Sequence, residues 1–505
     1  MSKQRNFEQL PCGQRSEEYA GWNVGFAKLA CIFLVFFAAT AISSPAQTFT
    51  QLAAFSGIDG ESPSGPLVQG LDGNFYGSTS AGGSLGVGTL FKVTPTGTLT
   101  LLHTLDWYTD GGNSYAGLLL DTNGNFYGTM SIGGAYLEGT VIKMTPAGTV
   151  NTVYSFCAQT NCADGYQPSV ALVEGTDGNF YGTTSLGGNI NSGGIAYRIT
   201  PAGKLTTLYD FGSLANFGDG DQPDSPLLLA SDGNFYGTTY GGGASGINGY
   251  GTVFRLAPTG KLTTLHSFCV RGPICNDGQH PISGALVEGT DGAFYGTTSV
   301  GGSTSYGTIF KITRSGKLTT LHTFAGAEGE FPYAGPIQAT DGNFYGLTQL
   351  GGANNYGTIY QMTPAGQVTD LYDFCAQRGC PDGSYASSAL VQGTDGTFYG
   401  TTQTGGNIKD CNNRGCGTVF SFSMGLGPFV ESLPMIGRVG TKVRILGNNL
   451  TGSSSITFNN IAATFTVVSD NQITTRVPIG ATTGTVEVTT PSGILKSNVV
   501  FRVLP

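Results

Sequence analysis

Seven copies of an acidic glycine motif are the first place where this sequence offers groups for chemistry. Regularly spaced carboxylates are the side chains that cation binding and general acid–base catalysis use. The motif reads DGNFYG, and its copies begin at Asp72, Asn123, Asp177, Asp232, Asp291, Asp341 and Asp395. Asn replaces Asp in the second copy, and Asp-Gly and Asn-Gly both favour tight hairpins. We therefore interpret the motif as a two-residue turn with positive φ at both central positions, without a catalytic or metal-binding role.

A second series of acids before glycine is also a candidate for ligand binding. Its members are Asp59, Asp110, Asp164, Asp219, Asp277, Glu328 and Asp382. Three of them are followed two positions later by another acid, namely Glu61, Asp221 and Glu330. A ring of carboxylates near a channel mouth would suit calcium or a cationic ligand. The alternative is a glycine turn that enters the next strand, and we favour it because each loop supplies too few oxygen ligands.

Aromatic and polar side chains in the most variable loops are the candidate binding residues. Flat rings beside short polar residues suit stacking on sugars or docking a protein surface, although tyrosine is also an ordinary loop residue. The predicted ligand-binding residues are Trp107, Tyr108, Tyr166, Asp221, His280, Glu330 and Tyr333. Loops carried on a rigid scaffold are where recognition is usually built.

Catalytic constellations are not evident in the sequence. His103, His266 and His322 share a repeat position that tyrosine occupies in other copies, which predicts packing or edge hydrogen bonding. No GxSxG stretch occurs, so a serine nucleophile in that turn is not indicated. The sequence therefore predicts no catalytic residue, no metal site and no cofactor. A carboxylate pair for glycoside cleavage leaves no linear signature, and this keeps an enzymatic alternative open.

Cysteines in the mature chain form four close pairs. They are Cys157 and Cys162, Cys269 and Cys275, Cys375 and Cys380, and Cys411 and Cys416. Such spacing predicts local disulfides in an oxidising compartment. Zinc is the alternative, but paired cysteines without nearby histidines or CxxC spacing fit it badly. Closing so short a loop stabilises the fold by about 2 kcal/mol, so these bonds fix loops.

The elements that position these residues follow from a repeat. The DGNFYG copies lie 50 to 59 residues apart, a period in the range of propeller blades. Residues 168–211 show four strand-like stretches, PSVALVEG, FYGTTS, GIAYRIT and KLTTLYDF, separated by turn residues. Six copies end in a KLTTLHSF-like strand, whereas the seventh stops at GTVFSFS. TFTQLAAF, at 48–55, supplies the missing strand. The sequence therefore predicts an all-β, seven-bladed β-propeller over residues 47–425, closed by this N-terminal strand.

An apolar run at the N-terminus predicts export. Residues 29–42 are apolar and are followed by Ser44-Pro45-Ala46, which is typical of a signal peptide over 1–46. A retained anchor is the alternative, although the run falls short of the ~20 residues of a spanning helix. The chain after residue 46 carries a net charge of about −10. Nucleic acid is therefore excluded as a partner, and a membrane is expected only through an uncleaved leader.

Two family resemblances extend this interpretation. Residues 428–505 resemble IPT/TIG domains through Pro434, Gly437, Gly440-Thr441 and the stretch VRILGNNL, which implies an immunoglobulin-like β-sandwich without catalytic function. Residues 50–424 resemble the GloVer tandem-repeat family of bacterial exported proteins in the patterns LVxGxDGNFYGTTxxGG and GTxFKxTPxGxxTxLHxF. That resemblance implies a surface or secreted protein, and the family has no defined activity to transfer.

These observations predict a secreted or cell-surface protein that binds and does not catalyse. Its variable loop face would recognise an extracellular polysaccharide or a surface protein. One alternative is a secreted carbohydrate-active lyase or hydrolase on the same scaffold, since propellers host such enzymes. Another is a structural envelope protein whose loops have no specific ligand.

Overall fold

The computed structural model describes residues 47–270, 275–281 and 284–504. The predicted signal peptide, 1–46, lies outside the described residues, and it stays a prediction. Within the described part of the chain, no helix is long and apolar enough to cross a membrane. Helical structure there is limited to three 3-10 turns, Thr160–Cys162, Ala215–Phe217 and Gly246–Asn248.

Short antiparallel strands build the whole repeat region. The first strand is β1 (Thr48–Ala54). Sheet 1 contains β2 (Val68–Gln69), β3 (Phe75–Thr79), β4 (Thr89–Val93) and β5 (Leu99–Thr104). Sheet 2 contains β6 (Leu119–Leu120), β7 (Phe126–Met130), β8 (Thr140–Met144) and β9 (Val150–Ser155). Sheet 3 contains β10 (Val173–Glu174), β11 (Phe180–Thr184), β12 (Ile195–Ile199) and β13 (Leu205–Asp210).

The remaining repeats have the same plan. Sheet 4 contains β14 (Leu228–Leu229), β15 (Phe235–Thr239), β16 (Thr252–Leu256) and β17 (Leu262–Ser267). Sheet 5 contains β18 (Val287–Glu288), β19 (Phe294–Thr298), β20 (Thr308–Ile312) and β21 (Leu318–Thr323). Sheet 6 contains β22 (Ile337–Gln338), β23 (Phe344–Thr348), β24 (Thr358–Met362) and β25 (Val368–Asp373). Sheet 7 contains β26 (Val391–Gln392), β27 (Phe398–Thr402), β28 (Thr418–Ser423) and, beside β28, the N-terminal strand β1.

The first strand of the described chain belongs to the last repeat. β1 pairs antiparallel with β28, with Thr50 opposite Ser421 and Ala54 opposite Thr418. Phe49 packs beyond its own sheet, because its ring stacks on Tyr372 of sheet 6 with centroids 4.2 Å apart. The strand that the seventh repeat lacks is thus supplied from the start of the chain, as its sequence predicts.

The DGNFYG turns differ from the two-residue hairpins expected from Asp-Gly. In sheet 1, Gly73 N donates to Gly70 O and Gly70 N donates to Asn74 O, so the loop has three residues. Gly73 has a positive φ of 79°, whereas the φ of Asp72 is not positive. The prediction of two positive φ values is therefore wrong. A three-residue loop that ends in a left-handed glycine satisfies the strand twist equally well.

The acid of this turn is a structural group. Asp72 Oδ1 accepts from Asn74 N at 3.2 Å, and its Oδ2 accepts from the Tyr76 hydroxyl at 2.9 Å. In the second repeat, where Asn123 stands in the acid's place, Asp121 accepts from Asn123 N and Asn125 N. A carboxylate thus caps the turn in both repeats. Where the motif begins with asparagine, the acid lies two positions earlier in the chain.

Aromatic rings join neighbouring sheets. The tyrosine of each FYG strand packs on the phenylalanine of another sheet, with ring centroids 3.9 to 4.4 Å apart. The pairs are Tyr76–Phe126, Tyr127–Phe180, Tyr181–Phe235, Tyr236–Phe294, Tyr295–Phe344, Tyr345–Phe398 and Tyr399–Phe75. All these rings are buried. Each pair contributes about 0.5–1.5 kcal/mol beyond the area it buries.

Three small sheets form the C-terminal part. One contains β29 (Glu431–Leu433), β31 (Lys442–Leu446), β35 (Gln472–Arg476) and β34 (Phe465–Ser469). A second contains β33 (Ile461–Ala462), β32 (Ser455–Phe458), β36 (Val486–Thr490) and β37 (Gly493–Lys496). The third is the parallel pair of β30 (Ile436–Arg438) and β38 (Arg502–Leu504). An apolar core that includes Val443, Ile456 and Val488 lies between them, as the IPT/TIG resemblance implies.

The C-terminal part contacts the DGNFYG end of the repeats. Arg444 Nε donates to Thr122 O at 2.8 Å, and Asn448 Nδ2 donates to Thr394 Oγ1 at 3.0 Å. Leu446 is buried beside Leu71 and Leu120 of sheets 1 and 2. In an antiparallel meander, the variable loops lie at the other end of each sheet. That end therefore carries the candidate site.

Candidate functional site

A residue in the left-handed backbone conformation lies where each connecting loop enters the next sheet. The seven equivalent positions are Ser62, Asn113, Gln167, Gln222, His280, Phe331 and Tyr385, with φ between 51° and 59°. Such values are uncommon for residues other than glycine. The residue before each of them pairs with the loop after the sheet's second strand, as Glu61 does with Ala81 and Asp221 with Gly241. The backbone therefore turns sharply there and passes into the first strand.

Residues of these connecting loops, with residues that follow the second strands, border a cavity of about 430 Å³, called here the seven-sheet cavity. All seven sheets contribute to it. Its lining comprises Ser64, Pro66, Tyr115, Ala116, Gly117, Ser169, Val170, Ala171, Gln222, Asp224, Pro226, Tyr240, Ala285, Tyr333, Ala334, Gln349, Ser387, Ser388, Ala389 and Gln403. Its volume lies within the range of about 300–1,000 Å³ that is usual for small-molecule sites.

Tyrosine rings and side-chain amides dominate the chemistry of the lining. Tyr115 comes from sheet 2, Tyr240 from sheet 4 and Tyr333 from sheet 6, so rings from alternate sheets border the cavity. Gln222, Gln349 and Gln403 supply donors and acceptors between them. Half of the Tyr115 side chain is exposed (50%), so its ring is open to a ligand.

Asp224 is the one charged residue in the lining, as far as the described residues extend. Its Oδ1 accepts a hydrogen bond from Ser185 Oγ of sheet 3. Burial raises the pKa of this carboxyl to about 6, and the neighbouring Asp221 carboxylate adds to the rise. Burial likewise raises the pKa of Asp221. Asp224 therefore changes its charge near neutral pH inside a cavity that can hold a ligand.

His280 supports one of the lining tyrosines. Its ring stacks on Tyr240 with centroids 4.3 Å apart, and its Nδ1 donates to the Tyr240 carbonyl at 2.9 Å. Tyr250 also packs edge-on against the imidazole, with ring centroids 5.6 Å apart. His280 thus fixes the Tyr240 ring beside the cavity and is not itself part of the lining.

The seven predicted binding residues do not converge. Tyr333 lines the cavity, and Asp221 and His280 lie directly behind lining residues. Tyr108 is 72% exposed in the loop between sheets 1 and 2, next to Trp107, and neither borders the cavity. Tyr166 and Glu330 lie in the loop bridges, opposite Leu186 and Leu350. Binding at these residues stays a prediction.

Asp224 and Tyr240 are among the lining residues outside the predicted set, as are Tyr115 and the three glutamines. The position of Asp224 holds serine, tyrosine or isoleucine in the other repeats, as at Ser169, Tyr115 and Ile282. An acid at an otherwise uncharged repeat position was a signal that the sequence contained. The convergence of that position on a cavity was not readable from the sequence, because it depends on all seven sheets.

The acids of the second series fix the connecting loops by hydrogen bonds. Six of its acids bond to the histidine or tyrosine of the preceding fourth strand at 2.7 to 3.1 Å. The pairs are Asp110–His103, Asp164–Tyr154, Asp219–Tyr209, Asp277–His266, Glu328–His322 and Asp382–Tyr372. Backbone amides of the same loop also donate to these acids, as Ala158 N and Gln159 N do to the Asp164 carboxylate. These bonds favour the turn over the alternative of a cation-binding ring, and the described residues contain no group of three or more potential metal ligands.

All four cysteine pairs lie at disulfide-bonding distance. Three of them, Cys157–Cys162, Cys269–Cys275 and Cys375–Cys380, are in the loops that leave a fourth strand, beside the acids just described. The fourth, Cys411–Cys416, is in the loop between β27 and β28. The bonds therefore restrain the loop face, as the spacing of the cysteines predicts.

Comparison with solved structures gives only distant likenesses. A fungal alcohol oxidase of the AA5 family, solved with copper, is 13% identical over 91% of this chain and 99% of its own, with a TM-score of 0.49. An oxidoreductase (glucose dehydrogenase) from Thermus thermophilus is 14% identical over 75% of this chain and 100% of its own, with a TM-score of 0.37. A luciferin-regenerating enzyme is 12% identical over 76% of this chain and 98% of its own, with a TM-score of 0.39. Such low identities and scores support no inference about this chain.

Family models match nearly the whole described chain. A search of curated proteins found no match. The model of the IPT/TIG domain matches residues 428–503. The Gloeobacter/Verrucomicrobia repeat matches residues 37–173, 157–281 and 248–433. The disulfides and this bacterial repeat fit an extracellular protein, and the repeat with an IPT/TIG domain indicates binding or adhesion. The chain belongs to the Gloeobacter/Verrucomicrobia repeat family.

Proposed function

We propose that this chain is an exported binding protein, that its seven repeat sheets form a closed seven-bladed β-propeller, and that the seven-sheet cavity binds a saccharide. The cavity carries the proposal, because one space is bordered by residues from all seven sheets, among them tyrosine rings, amides and hydroxyls. Sugars present apolar faces that stack on aromatic rings and hydroxyls that pair with amides, so these groups suit them.

Contacts between the first and last repeats support the closed ring. The Phe75 and Tyr399 rings stack with centroids 3.9 Å apart. Thr394 N donates to Gln69 Oε1 at 2.9 Å across 325 residues of sequence, and Thr401 Oγ1 donates to Pro63 O. Together with the pairing of β1 and β28, these contacts join the first repeat to the last.

Export is supported by the disulfides and by the N-terminal sequence, and the net charge bears on the ligand. Four disulfides are typical of an oxidising compartment. The apolar run at 29–42 has the composition of a signal peptide. A net charge of −9 on the full chain disfavours nucleic acid as a ligand.

Binding is better supported than glycoside hydrolysis. Most glycosidases need two carboxyl groups about 5 to 9.5 Å apart at the scissile bond. Among the described residues, the lining of the cavity offers the single carboxyl of Asp224. A lone acid can pair with a ligand, but it does not supply both the acid and the base or nucleophile.

Two matched tyrosine variants test the proposal. The mature protein is screened against a panel of oligosaccharides, and the best ligand is titrated by calorimetry. Tyr115→Ala should weaken its binding about fivefold or more, since an aromatic contact contributes roughly 1 kcal/mol beyond its area. Tyr136→Ala is the control, because this tyrosine of the same sheet is equally exposed (51% against 50%) and lies outside the lining.

The two variants separate cavity binding from binding elsewhere on the loop face. Cavity binding predicts that Tyr136→Ala keeps the affinity of the unmodified protein. An equal loss in both variants would place the ligand on the outer loops. Absence of binding to every saccharide in the panel would refute the proposed ligand class.

A further inference from the structure

An acid without a countercharge lies among the neutral groups of the seven-sheet cavity. This acid is Asp224. The other described lining residues are uncharged tyrosine, glutamine, serine and small apolar residues. Ser185 Oγ holds Oδ1 of the carboxyl from sheet 3. Moving a carboxylate away from water is costly unless an opposite charge or several hydrogen bonds compensate.

The surroundings of Asp224 supply no such charge. Asp221, three positions earlier on the same loop, is another acid and repels it. Sheets 2, 4 and 6 present tyrosines, and sheets 1, 3 and 7 present serines. Lysine, arginine and histidine are absent from the described part of the lining. A cationic group on the ligand would therefore meet a carboxylate that has no cationic partner among the described lining residues.

The aromatic rings favour the same kind of ligand. A cation over the face of a tyrosine ring is attracted by about 0.5–2 kcal/mol, with the larger values in desolvated sites. Tyr115, Tyr240 and Tyr333 line the space that Asp224 also lines. A bare metal ion fits this set badly, since calcium takes six to eight oxygen ligands and one carboxylate supplies at most two.

We propose that the cavity selects a saccharide that carries a protonated primary amine, such as an oligomer of glucosamine, with Asp224 pairing with the ammonium group. The inference rests on the proposed function, because it names the class of saccharide for the same cavity. Uronic acids are disfavoured, since their carboxylates would face Asp224 and Asp221. N-acetylated sugars lose the charge that Asp224 would recognise.

The test compares three ligands on the mature protein by calorimetry. The tetramer of glucosamine carries the amines, the tetramer of N-acetylglucosamine has the same rings without charge, and spermidine has amines without sugar rings. The titrations are done just above pH 6, where more than half of the Asp224 carboxyl groups are ionised. Glucosamine tetramer is expected to bind at least tenfold more tightly than either of the other two ligands.

Two charge variants assign the selectivity to one residue. Asp224→Asn keeps the shape of the side chain and a partner for Ser185, and it should bring the affinities for the two tetramers within about twofold. Glu138→Gln removes one negative charge from the same loop face outside the lining and should retain the selectivity. Thermal melting of both variants checks that each is folded.

The outcomes distinguish this inference from the function on which it rests. Equal binding of the two tetramers to the unmodified protein, lost in Tyr115→Ala, would overturn the amine selectivity and leave saccharide binding intact. Selectivity that survives in Asp224→Asn would also overturn the inference. Spermidine binding as tightly as glucosamine tetramer would show that sugar rings are not recognised. If no saccharide binds, both proposals fail.

Discussion

Removal of the Phe49 side chain is a direct test of the proposed closure of the propeller. Phe49 lies on β1, the strand that comes from the start of the chain and completes sheet 7. Its ring stacks on Tyr372 of sheet 6 at 4.2 Å and 5°, and on Phe420 of its own sheet at 5.3 Å. Phe49→Ala therefore removes a contact that joins β1 to two sheets at once.

The expected cost is about 2.5–3.5 kcal/mol. Truncation of a fully buried phenylalanine costs about 3–5 kcal/mol, and the partial exposure of Phe49 reduces this to roughly half. The loss of the face-to-face contact with Tyr372 adds about 1 kcal/mol. Such a change lowers the ratio of folded to unfolded protein by about 30-fold or more.

Urea unfolding of the mature chain measures this cost. Phe49→Ala should lower the midpoint without changing the denaturant slope, because the same surface is exposed on unfolding. Thr50→Ala is the control, since Thr50 is the exposed neighbour on the same strand. Its effect should stay within about 0.5 kcal/mol, as for ordinary surface substitutions.

Hydrogen exchange shows where the loss acts. In a closed ring, Phe49→Ala should speed amide exchange in β28 and in β25, which carries Tyr372. An effect no larger than that of Thr50→Ala, with unchanged exchange in β28, would refute the closure. β1 would then be a strand that frays without consequence for the repeats.

Three further predictions follow from the contacts of the loop face. Asp224→Asn should stabilise the protein by about 1–2 kcal/mol above pH 6 and have no effect near pH 3. A raised carboxyl pKa contributes stability that is lost as the pH rises from the unfolded value of 3.8 through about 6, and solvent screening reduces the full effect of the shift. Melting temperatures across this range measure it, and a pH-independent difference would contradict the burial of Asp224. Asp164→Ala should destabilise by about 3 kcal/mol, because this buried carboxylate accepts from Tyr154 and two loop amides, whereas a chelator should leave the melting temperature of the unmodified protein unchanged. A drop in melting temperature with the chelator would restore the calcium alternative. Thiol labelling of exported, unfolded protein should find no free cysteine beyond residue 46, and labelling of all eight would contradict the disulfides.

Local patterns were readable from the sequence where one repeat alone determines the structure. The FYG strands alternate aromatic and small residues, and the missing fourth strand of the seventh repeat pointed to TFTQLAAF. The turn type was not readable, because Asp-Gly is compatible both with a two-residue hairpin and with a three-residue loop that ends in glycine.

Contacts between repeats were harder to predict. The histidines at 103, 266 and 322 were expected to make edge hydrogen bonds, but their acid partners lie six to eleven residues further along the chain, in the loop toward the next sheet. The surroundings of Asp224 were still harder to predict, because its burial depends on Ser185 from another sheet and on a cavity to which all seven sheets contribute. No spacing within one repeat encodes that convergence.

A crystal structure of the mature protein with the most tightly bound oligosaccharide tests the central claim most directly. The account predicts ordered sugar density inside the seven-sheet cavity, with a ring against Tyr115, Tyr240 or Tyr333 and a ligand amine within hydrogen-bond distance of Asp224. Sugar density on the outer loops around Tyr108 or on the C-terminal sheets, with the cavity holding only water, would contradict it.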